Sequence, residues 1–139
     1  MSSFDRKFFD PIACLSAKAA TGVGTAVDVT QHQHVIVQVT AALNSSLTFK
    51  LQGSVSSSVP DFSAAQTGTN HWDYVSAYDL QDPSTVIAGD TGVALNNDTV
   101  ANNTRQYLVN VDGLRWFSME VTSYTDGSVT TNVIGFNNA

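Results

Sequence analysis

The chain has 139 residues, with 12 acidic and 6 basic side chains, a net charge of −6 and a pI near 4.6. That length suits one domain with a hydrophobic core and leaves no room for two. The six cations, Arg6, Lys7, Lys18, Lys50, Arg105 and Arg115, are scattered rather than clustered, so no phosphate-tracking surface and no nucleic-acid partner are expected.

Charged residues make up 13% of the chain, against the roughly 25% usual for globular domains. Ser, Thr, Asn and Gln must therefore make the exterior polar. Such a surface suits a subunit packed into an assembly better than a free enzyme. No stretch approaches the roughly 20 apolar residues of a membrane-spanning helix, so no membrane partner is expected. Arg6 and Lys7 mimic the positive start of a signal peptide, but Asp10-Pro11 interrupts the apolar run that should follow. Synthesis in the cytoplasm of the host cell is the expectation.

From the N-terminus, Ser3 to Phe9 is a short helix candidate that Asp10-Pro11 stops. Ala13 to Ala20 fits a short helix, an arm or an edge strand. Residues 1–22 carry three of the seven Phe and half of the basic residues, and are expected to form an N-terminal arm or edge segment on a single domain spanning 1–139. Phe4, Phe8 and Phe9 each stabilise by about 1.5–3 kcal/mol when buried. They must pack on their own domain or on a neighbour.

Beyond the arm the pattern has period two. Val35, Val37 and Val39 share one face, with Ile36 on the other. Leu47, Phe49 and Leu51 alternate with Thr48, Lys50 and Gln52, the cleanest half-buried strand in the chain. Gly53 with Ser56, Ser57 and Ser58, then Pro60-Asp61, mark a loop, and Asp82-Pro83, Gly89-Asp90 and the polar run Asn96 to Thr104 mark others. Tyr107, Val109 and Val111 alternate again, Leu114 to Val121 follows, and Val129 to Phe136 is a final β-branched run.

Asp112-Gly113 and Asp126-Gly127 are tight-turn signals, since both residue types tolerate the positive φ such turns require. They predict two hairpins sharing the strand Leu114 to Val121, hence three sequential antiparallel strands. Trp116 and Phe117 lie on opposite faces of that strand. One face then belongs to the core, and the other needs a loop cover or a partner. Roughly eight strands without interleaved helices predict an all-β, antiparallel β-sandwich of jelly-roll type with a short N-terminal arm.

Few residues invite chemistry. Cys14 is the only cysteine and reads as a small buried apolar side chain. His32 and His34 at i and i+2 share a strand face, as two ligands of a cupin-like metal site would, but Gln38 stands where a carboxylate is wanted. No metal and no cofactor are expected. Asp73, Asp79 and Asp82, near Trp72, Tyr74 and Tyr78, have the composition of a sugar site with stacking aromatics and paired acids. No Gly-x-Ser-x-Gly elbow is present, and Gly22-Val23-Gly24 lacks the third glycine of a phosphate loop. Asn96, Asn97 and Asp98 match no EF-hand spacing. The Asn-x-Ser/Thr sites at Asn44, Asn97 and Asn102 read as loop chemistry. Arg105 and Arg115 flank the Asp112-Gly113 turn, either as solvated or salt-bridged surface residues or as partners across an interface. No catalytic residues are assigned, and no enzyme is expected.

Three stretches carry a resemblance: Leu47-Thr-Phe-Lys-Leu-Gln-Gly-Ser54, His71-Trp-Asp-Tyr-Val75, and Arg105-Gln-Tyr-Leu-Val-Asn-Val-Asp-Gly-Leu-Arg-Trp-Phe117. Together with size and acidity they resemble the capsid cement, or decoration, proteins of tailed bacteriophages, notably the jelly-roll cement protein of a Bordetella phage. The resemblance implies a structural virion protein on the outer capsid surface that bridges major capsid protein subunits. It also implies self-association as a homodimer. On that reading the interface residues are Phe4, Phe8, Phe9, Arg105 and Arg115. The alternative is a carbohydrate-binding module of a tail or fibre that uses Trp72, Tyr74 and Tyr78.

Overall fold

The computed structural model describes residues 9–82, 84–96 and 103–137, and among these there is no helix. The long strands are β1 (Ile12–Lys18), β4 (His34–Ala41), β5 (Ser46–Ser54), β10 (Asn103–Asn110), β11 (Trp116–Asp126) and β12 (Val129–Phe136). Shorter ones are β2 (Gly22–Val23), β3 (Val27–Asp28), β6 (Asp73–Val75), β7 (Ala77–Asp79), β8 (Val86–Ile87) and β9 (Val93–Leu95). Two antiparallel sheets result. One runs β1-β12-β4-β10-β7-β8, and the other runs β2-β11-β5-β6, with β3 also on β11 and β9 also on β5.

The order is that of a jelly roll. The first strand pairs with the last in one sheet, and the second with the next-to-last in the other, as when a long double strand is rolled up. The predicted all-β sandwich is the fold.

Alternation in the sequence becomes burial in the structure. Val35, Val37 and Val39 of β4, Leu47, Phe49 and Leu51 of β5, Tyr107 and Val109 of β10, Phe117, Met119 and Val121 of β11, and Val129 and Val133 of β12 form one central cluster. Each strand contributes every second residue, because side chains alternate across a pleated sheet.

The predicted hairpins are corrected. Gly113 (φ 89°) and Gly127 (φ 82°) do take the positive φ their turns demand. Yet β11 pairs with β5, while β10 and β12 both pair with β4 in the opposite sheet. The two turns carry the chain across the sandwich instead of folding it back on itself. A tight turn fixes only the local reversal; which strand lies alongside is decided by long-range burial.

Ile12–Lys18 is an edge strand, one of the three readings open for this stretch. Its pairing with β12 is broken twice by irregularities, and Ala17 takes a positive φ of 44°. Where the ladder breaks, the hydroxyls of Thr131 and Thr130 accept from the Leu15 and Ala17 amides, each at 3.0 Å. An irregular edge of this kind resists adding further strands. The helix candidate Ser3 to Phe9 lies, apart from Phe9, outside the described residues.

Candidate functional site

The two outer faces of the sandwich have opposite fates. Over β5 and β11, the excursion of residues 55–72 folds back as a cover. Phe62 is buried on it, though outside the central cluster. Beneath it, Gln52 is fully buried and donates through Nε2 to the Phe62 carbonyl at 3.0 Å, while the Ser54 hydroxyl donates to the His71 carbonyl at 2.6 Å. The second face of the Trp116 strand is thus met by a loop of the same chain, one of the two solutions its sequence required.

Asn70 holds that excursion in shape. Its Oδ1 accepts from the Asp61 amide at 2.9 Å, and its Nδ2 donates to the Asp61 and Ala65 carbonyls at 2.8 and 3.1 Å. Trp72 donates through Nε1 to the Ala64 carbonyl at 3.0 Å and meets Tyr74 edge-on, with ring centroids 5.0 Å apart. The Tyr74 hydroxyl donates to Glu120 at 2.7 Å, and Lys50 Nζ lies 4.7 Å from the Tyr74 ring centroid. Desolvation, and then the Glu120 carboxylate that accepts its proton in a hydrogen bond, push the Tyr74 phenol up to about 12.

The candidate sugar residues do not converge. A groove of about 440 Å³ runs beside Trp72 and Tyr74, but the side-chain amides of Asn70 and Gln66 and the Trp72 indole N–H that border it are turned to bracing the loop. Tyr78 belongs to the other sheet and faces away from it, 44% exposed. Asp79 points inward and is paired with Arg105 at 2.5 Å. Asp82 accepts from Ser84 and Thr85 within its own turn, and Asp73 accepts from the Tyr74 amide.

The remaining candidates are placed as follows. His32 meets Phe9 edge-on at 4.7 Å between centroids, and His34 stacks on Phe136 at 5.5 Å. Among the described residues no group of three or more His, Cys, Asp or Glu is placed to hold a metal ion. Cys14 is buried, its thiol donates to the Thr25 carbonyl at 3.2 Å, and burial pushes that thiol up to about 11. Phe9 packs on its own domain, partly buried against the central cluster. Phe4 and Phe8 lie outside the described residues, as do Asn97, Asp98 and Asn102. Arg105 is engaged internally by Asp79, whereas Arg115 is exposed at the turn.

The opposite outer face, that of the sheet β1-β12-β4-β10-β7-β8, was not singled out by sequence. Register aligns Ile134 of β12 with Ile36 of β4, Ile36 with Leu108 of β10, Leu108 with Tyr78 of β7, and Tyr78 with Val86 of β8. An apolar stripe therefore crosses five strands. Beside it runs an amide row, Asn132, Gln38 and Gln106, and then a threonine row, Thr130, Thr40 and Thr104. His34 and Asn110 occupy the other side. None of these positions carries a carboxylate, lysine or arginine.

No protein-family model matches the chain, and no curated protein matches it. A solved structure does. The SPBc2 prophage-derived protein YomS superposes with a TM-score of 0.64 at 16% sequence identity, over 98% of this chain and 96% of that one. At that identity the likeness establishes a shared fold. It spans both sheets from end to end, so the whole jelly roll is common to the two.

Proposed function

We propose that this chain is a phage virion protein that binds the outer surface of an assembled capsid and ties neighbouring major capsid protein subunits together, acting as glue rather than catalyst. The observation that carries the reading is the jelly roll, shared over 98% of the chain with a prophage-derived protein. The physics of a shell agrees with it. A thin capsid under outward pressure fails at its subunit seams, and a stiff block across a seam adds contacts that are lost only on rupture. A β-sandwich whose outer loop is already braced by Asn70 and Trp72 orders little on docking, so little interaction energy is lost to entropy. Many copies, each with a modest interface, then add strength by multivalency.

The glycan-binding alternative draws less support. The polar groups bordering Trp72 are occupied by loop carbonyls, and Tyr78 lies on the far sheet.

The test is made on particles. Purified virions should contain the chain in many copies, and heads assembled without it should rupture at lower temperature than heads to which the purified protein is added back. Heads of unchanged heat resistance, or virions without the chain, refute the proposal.

A further inference from the structure

Two Asp-Gly dipeptides occur in the chain, Asp112-Gly113 and Asp126-Gly127, one at each of the turns that carry it across the sandwich. Both glycines take a positive φ, 89° and 82°, and both aspartates are exposed. The two sites differ in their contacts. The Gly127 amide donates to Oδ1 of its own neighbour Asp126 at 2.8 Å, and the Tyr124 hydroxyl donates to the Gly127 carbonyl at 2.8 Å. The glycine nitrogen is thereby held against the aspartate carboxyl. At the other turn the Asp112 amide donates to the Asn110 side chain at 2.9 Å, and among the described residues the Asp112 carboxylate takes no bond from Gly113.

A third aspartate separates the two ingredients. Asp73 accepts from the Tyr74 amide, also at 2.8 Å, but a tyrosine follows it instead of a glycine. The Tyr74 side chain crowds any ring that its nitrogen would close, and the ladder with β5 holds both residues in a strand. Of the three, Asp126 alone combines the contact with a following residue that has no Cβ.

We propose that Asp126 is a site of spontaneous isomerisation, at which the folded chain rearranges through a cyclic imide to isoaspartate faster than at Asp112. The Gly127 nitrogen bonds to Cγ of the Asp126 carboxyl in its acid form. The amide proton and the carboxyl hydroxyl leave together as one molecule of water, and a five-membered succinimide remains. Water then adds to one of the two imide carbonyls. Addition at Cγ breaks the new C–N bond and restores aspartate. Addition at the backbone carbonyl breaks the original peptide bond, so that the chain runs through the Asp126 side chain. Nothing is oxidised or reduced, and water is the only co-reactant. With Oδ1 at 2.8 Å from the nitrogen, Cγ lies one bond further on, close to the roughly 3–3.5 Å of a near-attack arrangement.

The position of the turn gives the reaction a structural consequence. Gly127 lies on buried Ser45, and a Cβ at Gly127 would stand 2.5 Å from the Ser45 Cα. The Ser45 hydroxyl donates to the Ala42 carbonyl at 2.7 Å and accepts from the Ser128 amide at 3.1 Å, while the Ala42 amide donates to the Ser128 carbonyl at 3.0 Å. This clasp ties the turn between β4 and β5 to the start of β12. Isoaspartate lengthens the backbone by one carbon where there is no room for it, so the turn lifts away and the clasp opens. Its loss should lower Tm by about 4–10 °C. A chain that is not replaced thus loosens with age at one end of its sandwich.

Peptide mapping after ageing tests the proposal. The folded protein is held for weeks at neutral pH in heavy-oxygen water and then digested in ordinary water. Each opening of a succinimide leaves one heavy oxygen in the chain, and isoaspartyl peptides separate from aspartyl ones. Label and isoaspartate should accumulate at Asp126 about 10-fold or more faster than at Asp112, with little or none at Asp73. In urea, where both turns are lost, the two Asp-Gly sites should react at similar rates. Tyr124→Phe, which keeps the ring and frees the Gly127 carbonyl, should slow the reaction at Asp126 and leave Asp112 unchanged. Asp126→Glu, whose imide needs a larger ring, should take up no label at that position and should hold its Tm through an incubation in which that of wild type falls. An unlabelled Asp126 overturns the proposal, as do equal rates at Asp126 and Asp112 in the folded chain. A rate ratio as large in urea as in the folded protein also overturns it, since flanking sequence and not the geometry of the turn would then set the rates.

Discussion

Replacing Phe62 by Ala separates the cover loop from the core. Phe62 is 5% exposed and lies outside the central cluster, with its carbonyl accepting from buried Gln52 at 3.0 Å and its ring 6.2 Å from that of Trp72. Truncating a phenylalanine in a closed core costs about 3–5 kcal/mol. Here the loss is smaller, because residues 55–72 can open without unfolding the sheets, and the opening caps the penalty. A loss of about 2–3 kcal/mol follows, which for a domain of this size lowers Tm by about 6–12 °C. Hydrogen exchange followed by mass spectrometry locates the effect. Amides of residues 55–72 should lose protection first, while those of β4 and β12 keep theirs until global unfolding. An unchanged Tm would refute the idea that the loop seals the second sheet. Protection lost evenly through both sheets would show that Phe62 belongs to the core after all.

Other perturbations address separate parts of the account. A Cβ at Gly24 would stand 2.1 Å from the Cys14 carbonyl oxygen, whereas one at Gly68 meets nothing within 4 Å. Gly24→Ala should therefore destabilise by about 1–3 kcal/mol in chemical denaturation, and Gly68→Ala should be neutral or slightly stabilising. Asp79→Ala should cost about 1–3 kcal/mol, because it strands the partly buried Arg105 guanidinium and frees the Gln81 amide. The double variant with Arg105→Met should recover part of that loss in a double-mutant cycle. Stability should also fall at alkaline pH. With the Cys14 thiol raised by burial from 9.0 to about 11, the unfolded chain releases its proton first. This contribution is intact below about pH 9 and is lost as pH rises to about 11. Urea titrations across that window should show a shallower decline for Cys14→Ala than for wild type.

Much of the fold was legible in the residues. Leu47, Phe49 and Leu51 and the valines of β4 declare their buried face by alternation alone, because the period of a strand is a property of the local backbone. Gly113 and Gly127 declared their turns for the same reason. Strand partners were not legible. Nothing near Asp112-Gly113 distinguishes a turn between paired strands from one that crosses to the opposite sheet. That choice rests on β10 lying against β4, some seventy residues away in sequence. The edge strand Ile12–Lys18 was ambiguous because its bulges erase the alternation that would identify it.

The candidate site divides along the same line. The sequence requires a second cover for the strand of Trp116 and Phe117, but cannot choose between loop and partner; the closure depends on Phe62, more than fifty residues upstream. Trp72, Tyr74 and Tyr78 stand close together in sequence, yet the crossing between β6 and β7 puts Tyr78 on the opposite sheet. Ile36 is visible as an apolar residue on the polar face of its strand. Only the register of four further strands aligns it with Ile134, Leu108, Tyr78 and Val86. A stripe assembled from five strands has no signature in any one of them.

Cryo-electron microscopy of purified virions puts the central claim to its most direct test. The account predicts β-sandwich density on the outside of the head, seated across seams between shell subunits. Smooth seams, or sandwich density confined to the tail, would contradict it.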